Sequence, residues 1–219
     1  ELTETGKPVI LIIMAGRATT VNYADAYVPA ILNVNFPGEK GGEAIADVLF
    51  GDYNPGGRLS ITIPRTVGQI PFAFPFKPGS DVKNKASLWG SLYPFGHGLS
   101  YTTFAYSQLR CSHDVIAPTD SVEVFVTVTN TGKVKGDEVV QLYIRDEVSS
   151  VTTYTKVLRG FERITLNPGE SREVRFVLHP RDLSLWDKNM NFVVEPGDFR
   201  VMVGASSQDI RMETKLQVQ

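Results

Sequence analysis

The scarcest features of this chain narrow its chemistry. It has one cysteine, Cys111, which excludes an internal disulfide framework and any zinc site built on several thiolates. Free cysteines are usually small buried residues, and Cys111 is read as a strand residue. The three histidines, His97, His113 and His179, stand far apart and outside any paired helical motif, so no metal site is expected. Net charge is nearly absent as well: 22 Lys and Arg oppose 24 Asp and Glu, and the basic residues are scattered. Such a balance attracts neither nucleic acid nor an anionic membrane surface, and neither is an expected partner. The longest apolar run near the start, Pro8 to Ala15, falls far short of the roughly 20 residues of a spanning helix, so no membrane anchor is expected. Glu1 opens no positively charged leader, and Leu2 to Lys7 reads as the end of a helix whose beginning lies outside the chain.

What is present divides into two patterns. The 219 residues suffice for two modest domains, each with a core of its own. In the first half, short continuous apolar runs alternate with helical or loop segments. Pro8 to Gly16 and Pro29 to Phe36 suit strands buried on both faces, with a short helix from Asn22 to Val28 between them. A stronger helix is expected from Pro37 and Gly38 onward, with Ala44, Ile45, Val48 and Leu49 as its apolar stripe and Gly51 at its C-terminal cap. After the Asn54-Pro55-Gly56-Gly57 turn, a third strand from Arg58 to Ile63 would complete β-α-β-α-β order and a parallel sheet. Three such strands with few helices leave the sheet partly uncovered, so this unit is expected to be incomplete. Pro64 to Tyr93 lacks a lasting period and reads as a long loop, whose Phe72, Phe74 and Phe76 are expected to pack on a neighbouring domain.

After Tyr101 the period becomes two. Val122, Val124, Val126 and Val128 alternate with more polar residues, as do Val140, Leu142 and Ile144, then Val174, Phe176 and Leu178, then Phe199, Val201 and Val203. Turn signals at Asn130-Thr131-Gly132, Asn167-Pro168-Gly169 and Glu195-Pro196-Gly197 separate them. With Phe104 to Cys111, Thr155 to Ile164 and Arg211 to Val218, roughly seven antiparallel strands result, the number of an immunoglobulin-like sandwich.

Candidate chemistry is sparse. Glu39, Glu43 and Asp47 share four-residue spacing, but carboxylates opposite an apolar stripe describe a solvated helix face. The glycines of Pro37 to Glu43 lack the spacing of a phosphate-binding loop, and no Gly-x-Ser-x-Gly elbow occurs. One positional argument holds. Ligands of open parallel sheets sit at the carboxyl ends of the strands, where Ala15-Gly16-Arg17 and Asn35-Phe36-Pro37-Gly38 are expected on one edge. Arg17 is the most chemically capable residue there, its alternative being a structural bond to backbone.

Several motifs in order resemble glycoside hydrolase family 3: GKPVILIIMAGR (Gly6 to Arg17), VPAILNVNFPGEKGGEAIADVLFGDYNPGGRL (Val28 to Leu59), VGQIP (Val67 to Pro71) and LYPFGHGLSYTTF (Leu92 to Phe104). LRGFERITLNPGES (Leu158 to Ser171) and EPGDFRVMVG (Glu195 to Gly204) look like the fibronectin type III-like domain of that family. Ala18 and Ser60 stand where relatives often have proline. The resemblance implies two domains: an incomplete α/β segment with a mostly parallel sheet at 1–64 and a fibronectin type III-like β-sandwich at 104–219, joined by an interdomain loop at 65–103.

It also implies a retaining β-glucosidase-like enzyme acting on terminal β-linked sugars of oligo- or disaccharides, without a cofactor. The aspartate nucleophile would belong to a catalytic barrel and the acid/base carboxylate to a loop, both before Gly6, so no catalytic residue is named here and the chain alone is expected to be inactive. Arg17 and Asn35 are the candidate substrate-binding residues, on the edge facing that barrel. Tyr93, Phe95, His97 and Tyr101, with Leu99, form an expected clamp between the domains, and Gly96 and Gly98 allow its bends. Relatives are commonly exported, which implies a periplasmic or extracellular location. A second reading makes the chain a binding module for polysaccharide or protein. Exposed Trp platforms would favour it, but Trp89 lies in the linker and Trp186, in its Leu-Ser-Leu-Trp context, reads as packed.

Overall fold

The computed structural model describes residues 1–70, 72–79 and 90–219, so Pro71 of VGQIP and Trp89 of the linker lie outside the described residues. After a 3-10 turn at Thr3–Thr5, β1 (Ile10–Ile13) and β2 (Ala30–Asn33) pair in parallel, Ile10 opposite Ala30, with α1 (Asn22–Tyr27) between them in sequence. Next comes α2 (Gly41–Phe50). Gly51 ends it at φ 86°, donating its N–H to the Val48 carbonyl. The helix begins later than the sequence predicts, because Gly38 turns at φ 72° and Gly41 N–H bonds its carbonyl at 3.1 Å. Glu39 therefore precedes the helix and does not share a helical face with Glu43 and Asp47.

The expected third parallel strand is not formed. Ile63–Pro64 (β3) pairs antiparallel with Ser91–Tyr93 (β4), apart from β1 and β2. Upstream of it, Leu59 N–H bonds the His97 carbonyl and the Leu59 carbonyl accepts from Gly96 N–H, both at 2.8 Å. Leu59, Ile63 and Pro64 thus pair along the segment Ser91 to His97, which serves them as a sheet neighbour would. Close approach requires a glycine: a Cβ at Gly98 would stand 2.5 Å from the Gly57 carbonyl oxygen.

The predicted long loop holds a 3-10 turn at Val67–Gln69 and the half-buried Phe72, Phe74 and Phe76. Phe74 stacks on Phe95 at 4.9 Å and meets Tyr143 edge-on at 5.7 Å, while the Phe76 carbonyl accepts the Thr155 N–H at 3.0 Å. Tyr143 and Thr155 belong to the second unit, so this segment does pack across to it.

The second unit is a β-sandwich, in agreement with the period-two pattern. Its strands are β5 (Phe104–Cys111), β6 (Val115–Ile116), β7 (Val122–Asn130), β8 (Gly136–Asp146), β9 (Val157–Leu166) and β10 (Ser171–Leu178). A short helix α3 (Pro180–Leu183) and the hairpin β11 (Leu185–Trp186) and β12 (Phe192–Val193) lead to β13 (Gly197–Gly204) and β14 (Ile210–Val218). One sheet runs β10-β7-β5 and the other β6-β14-β13-β8-β9. Val122, Val124, Val126 and Val128 all face inward, fully buried against a cluster that includes Val140, Leu142, Phe176, Phe199, Val201 and Leu216. At roughly 1.5–3 kcal/mol for each large side chain, this core needs no disulfide. Cys111 is half-buried beside it, and burial, aided by the charge of Asp114, pushes its thiol up to about 11.

Two expectations fail on exposure. Trp186 is 58% exposed rather than packed. The β11–β12 register sets it opposite Phe192 and Leu185 opposite Val193, so alternation turns Trp186 and Phe192 outward and Leu185 and Val193 to the more sheltered side. Leu99 also points to solvent and is no part of a clamp.

The packing of the two units differs sharply. Every member of the large core cluster lies between Ile116 and Val218. On the α/β side Ala24 and Ile63 are buried, but Ile10, Met14, Tyr23, Tyr27, Phe36 and Phe50 are exposed.

Candidate functional site

The parallel pairing of β1 and β2 carries both of their following loops to one sheet edge, and Val34 N–H extends the pairing to the Ile13 carbonyl at 3.0 Å. The loops touch. Gly16 lies under the Phe36 ring so closely that a Cβ there would collide with it. Asn35, at φ 48°, makes the left-handed turn that throws Phe36 back over Gly16. Arg17 and Asn35 are both exposed on this edge, and neither side chain has a hydrogen-bond or ion-pair partner among the described residues.

A residue that sequence reasoning missed adds to the edge. Asn33, the last of β2, keeps its Oδ1 buried without a hydrogen-bond partner. Buried acceptors of this kind are normally satisfied. No spacing or motif marks Asn33 out, since it reads as one more residue of an apolar run.

Tyr93 and Tyr101 tie the interdomain loop to α1 and α2, while the Phe95 carbonyl accepts the Ser207 N–H of the sandwich at 2.9 Å. Tyr93 donates its hydroxyl to Asp25 Oδ1 of α1 at 2.6 Å, and burial together with that carboxylate pushes it up to about 12. Its ring stacks on His97 at 5.2 Å. Burial, with the positive charge of Arg58, holds the imidazole below its ordinary value against the pull of Asp209. At neutral pH His97 is therefore an uncharged ring, suited to stacking. Tyr101 donates to the Val48 carbonyl at the end of α2 at 2.7 Å.

The residues that join the units polar atom by polar atom were not legible in advance. Asn54 donates to the Lys135 carbonyl at 3.0 Å, and its Oδ1 accepts from Ser100 Oγ at 3.0 Å and Tyr101 N–H at 2.8 Å. Gln141 of β8 donates to the Gly96 carbonyl at 3.2 Å and the Ala205 carbonyl at 2.6 Å, while accepting from Tyr143 Oη at 2.5 Å. Asn130, fully buried, binds the Val134 and Leu166 carbonyls and accepts from Thr102 Oγ1 at 2.6 Å. Arg58 reaches Glu138 Oε2 of β8 at 3.2 Å. Each polar residue interrupts an apolar or turn pattern, which is the only signal the sequence carries.

Of the carboxylates of the α/β unit, Glu43 pairs with Lys40 at 2.8 Å and Asp25 accepts from Tyr93. Among the described residues no group of three or more His, Cys, Asp and Glu is set to hold a metal ion.

Comparison with known proteins matches two family models to the chain. Residues 1–101 match the glycosyl hydrolase family 3 C-terminal domain, and residues 138–207 match the fibronectin type III-like domain. A β-xylosidase of Formosa agariphila is 45% identical over 215 residues, covering 96% of this chain and 30% of the relative. The periplasmic β-glucosidase of Salmonella typhimurium is 42% identical, over 96% of this chain and 29% of its own length. Among solved structures, a β-glucosidase from Erythrobacter marinus superposes with a TM-score of 0.95 at 42% identity, over 100% of this chain and 29% of the other. A β-glucosidase from Listeria innocua in complex with glucose gives 0.89 at 32% identity, over 99% of this chain and 32% of its own. The chain thus spans about 30% of the length of the curated relatives it matches.

Proposed function

We propose, from the premise that this chain belongs to the C-terminal portion of glycosyl hydrolase family 3, that it is the supporting end of a β-glucosidase-like hydrolase of terminal β-linked sugars. The observation that carries this reading is the contrast between a closed sandwich core and an α/β unit whose Ile10, Met14, Tyr23, Tyr27 and Phe36 meet solvent. Several large apolar side chains left in water on one unit suit an interface. A catalytic barrel laid on it would remove that surface from water and bring a sugar to the Arg17 and Asn35 loops. Arg17 offers a fork of donors and Asn35 both donor and acceptor, a set that fits sugar hydroxyls. On this reading the nucleophile belongs to the barrel and the acid/base carboxylate to a loop of the α/β domain before Gly6, and the reaction needs no cofactor. No helix of the described residues is long and apolar enough to cross a membrane, and a periplasmic or extracellular enzyme is in keeping with the Salmonella relative's name.

The test has two arms. The purified chain, free of any companion polypeptide, is expected to leave 4-nitrophenyl β-glucoside and β-xyloside at the background rate, and turnover above it would overturn the assignment of catalysis elsewhere. In the enzyme that includes the barrel, Arg17→Ala or Asn35→Ala is expected to raise KM about tenfold through the lost sugar hydrogen bonds. Unchanged KM and kcat in both would remove the edge from the active site.

A further inference from the structure

A cleft of about 480 Å3 opens at the end of the sandwich where β8 finishes and β9 and β13 begin. Trp186 and Phe192, 58% and 50% exposed, line it with ring centroids 5.1 Å apart and planes inclined at 41°. Tyr154 adds a third ring, with Lys77 Nζ 5.9 Å from its centroid. Large aromatic side chains left in water at the lip of a cleft have the amphipathic character of binding platforms.

Two polar groups in the lining specify the occupant further. Asp146 and Arg159 each keep a buried atom without a hydrogen-bond partner, Oδ2 and Nε respectively. Native structures normally satisfy such atoms. An apolar peptide segment would cover the rings and leave both atoms orphaned. An anion would meet the Asp146 carboxylate and a cation the Arg159 guanidinium. A neutral ligand rich in hydroxyls donates to the one and accepts from the other, while its C–H face rests on the rings.

We propose that this cleft is a saccharide-binding site of the sandwich, seating a neutral pyranose chain against Trp186 and Phe192 with hydroxyls on Asp146 and Arg159. The cleft borders the interdomain loop, whose Lys77 lines it, and Asp146 lies five residues beyond Gln141 on β8, roughly 17 Å along an extended strand. The site requires no barrel, so its success or failure is independent of the catalytic assignment above.

The 219-residue chain is titrated with cellohexaose and with xylohexaose, by calorimetry and by tryptophan fluorescence, with glucose alone as the control. Binding of at least one hexaose is expected, weakened by Trp186→Ala on the order of tenfold or more, as for a central aromatic anchor. Trp186 is exposed, so the variant is expected to melt with the parent. Arg159→Met, which removes the unpartnered donor and keeps an apolar stem, is expected to weaken binding as well. Absence of binding of either hexaose up to roughly 10 mM, the limit of a very weak site, overturns the proposal. So does equal affinity in Trp186→Ala, or self-association of the chain that sugar leaves unchanged.

Discussion

Arg58 and Glu138, 80 positions apart, meet in a buried ion pair whose side chains are only 7% and 4% exposed, with Nη2 3.2 Å from Oε2. Both come from interrupted patterns, one following the glycines of a turn and one standing in a strand of the sandwich. Burial raises the Glu138 carboxyl above its ordinary value even though Arg58 and Tyr106 pull the other way. Desolvation is therefore the larger effect, and the pair as a unit adds little net stability.

Breaking it is a different matter. Arg58→Met leaves a buried carboxyl without its cation and is expected to cost about 3–5 kcal/mol, read from urea unfolding. With its cation gone, the folded-state value of Glu138 rises further. The carboxyl then stabilises the fold below its unfolded value, and that contribution is lost as pH rises through the folded one. The single variant should consequently be worst at high pH. Arg58→Met combined with Glu138→Leu is expected to recover most of the loss, and a double variant as unstable as the single one would contradict this account.

Asp146 provides a second pH signature. Burial, with the nearby carboxylates of Glu195 and Glu147, lifts it to about 6 against the Val148 N–H, whereas an unfolded aspartate titrates near 3.9. A raised carboxyl contributes stability that is complete below the unfolded value and vanishes as pH climbs through about 6. Melting temperature measured between roughly pH 4 and 7 is expected to fall across this window, and Asp146→Asn should flatten the slope. A slope untouched by the substitution would assign it to another group.

Gly96 and Gly38 form a matched pair for testing the junction. Both have positive φ, 82° and 72°, so alanine is strained at either. Around Gly38 no atom stands within 4 Å of an added Cβ, whereas at Gly96 it would collide with Gln141 Oε1. Gly38→Ala is expected to lose about 1 kcal/mol and Gly96→Ala clearly more, since Gln141 must also give up bonds to Gly96, Ala205 or Tyr143. Thermal denaturation of the two variants side by side checks the order, and equal losses would mean that the Gln141 contact yields freely.

Amide hydrogen exchange should separate the two units. Amides of Val124, Val126, Val140 and Leu142 sit in the closed core and are expected to exchange only through global unfolding. Those of β1 and β2 lie in a two-stranded sheet with no fully buried side chain, and local opening should exchange them much sooner. Uniform protection along the chain would show that the α/β unit holds itself together.

Sequence pattern made the sandwich legible because its strands bury alternate residues in one core, and Val122 to Val128 display that alternation without interruption. It also placed the Gly16-Arg17 and Asn35-Phe36 loops together, since parallel strands deliver their following loops to the same edge. The third parallel strand was misread for the opposite reason. Arg58 to Ile63 alternates like a strand, but its partner is the segment Ser91 to His97, and no local period encodes so distant a choice. Trp186 was misread because Leu-Ser-Leu-Trp looks apolar throughout, while a two-residue hairpin turns neighbours to opposite faces. Asn33 stayed hidden because an orphaned acceptor is a property of surroundings and leaves no trace in residue type.

Asn54, just past the end of α2, ties the glycine-rich junction to the β7–β8 turn through one side chain. Anyone grafting this sandwich onto another scaffold would naturally cut near Thr103, where the period changes. That scissor line strands Lys135, Gln141, Glu138 and Asn130 on one piece and Asn54, Gly96, Arg58 and Thr102 on the other. A transplantable cassette has to begin upstream of Asn54, carrying the end of its neighbour along.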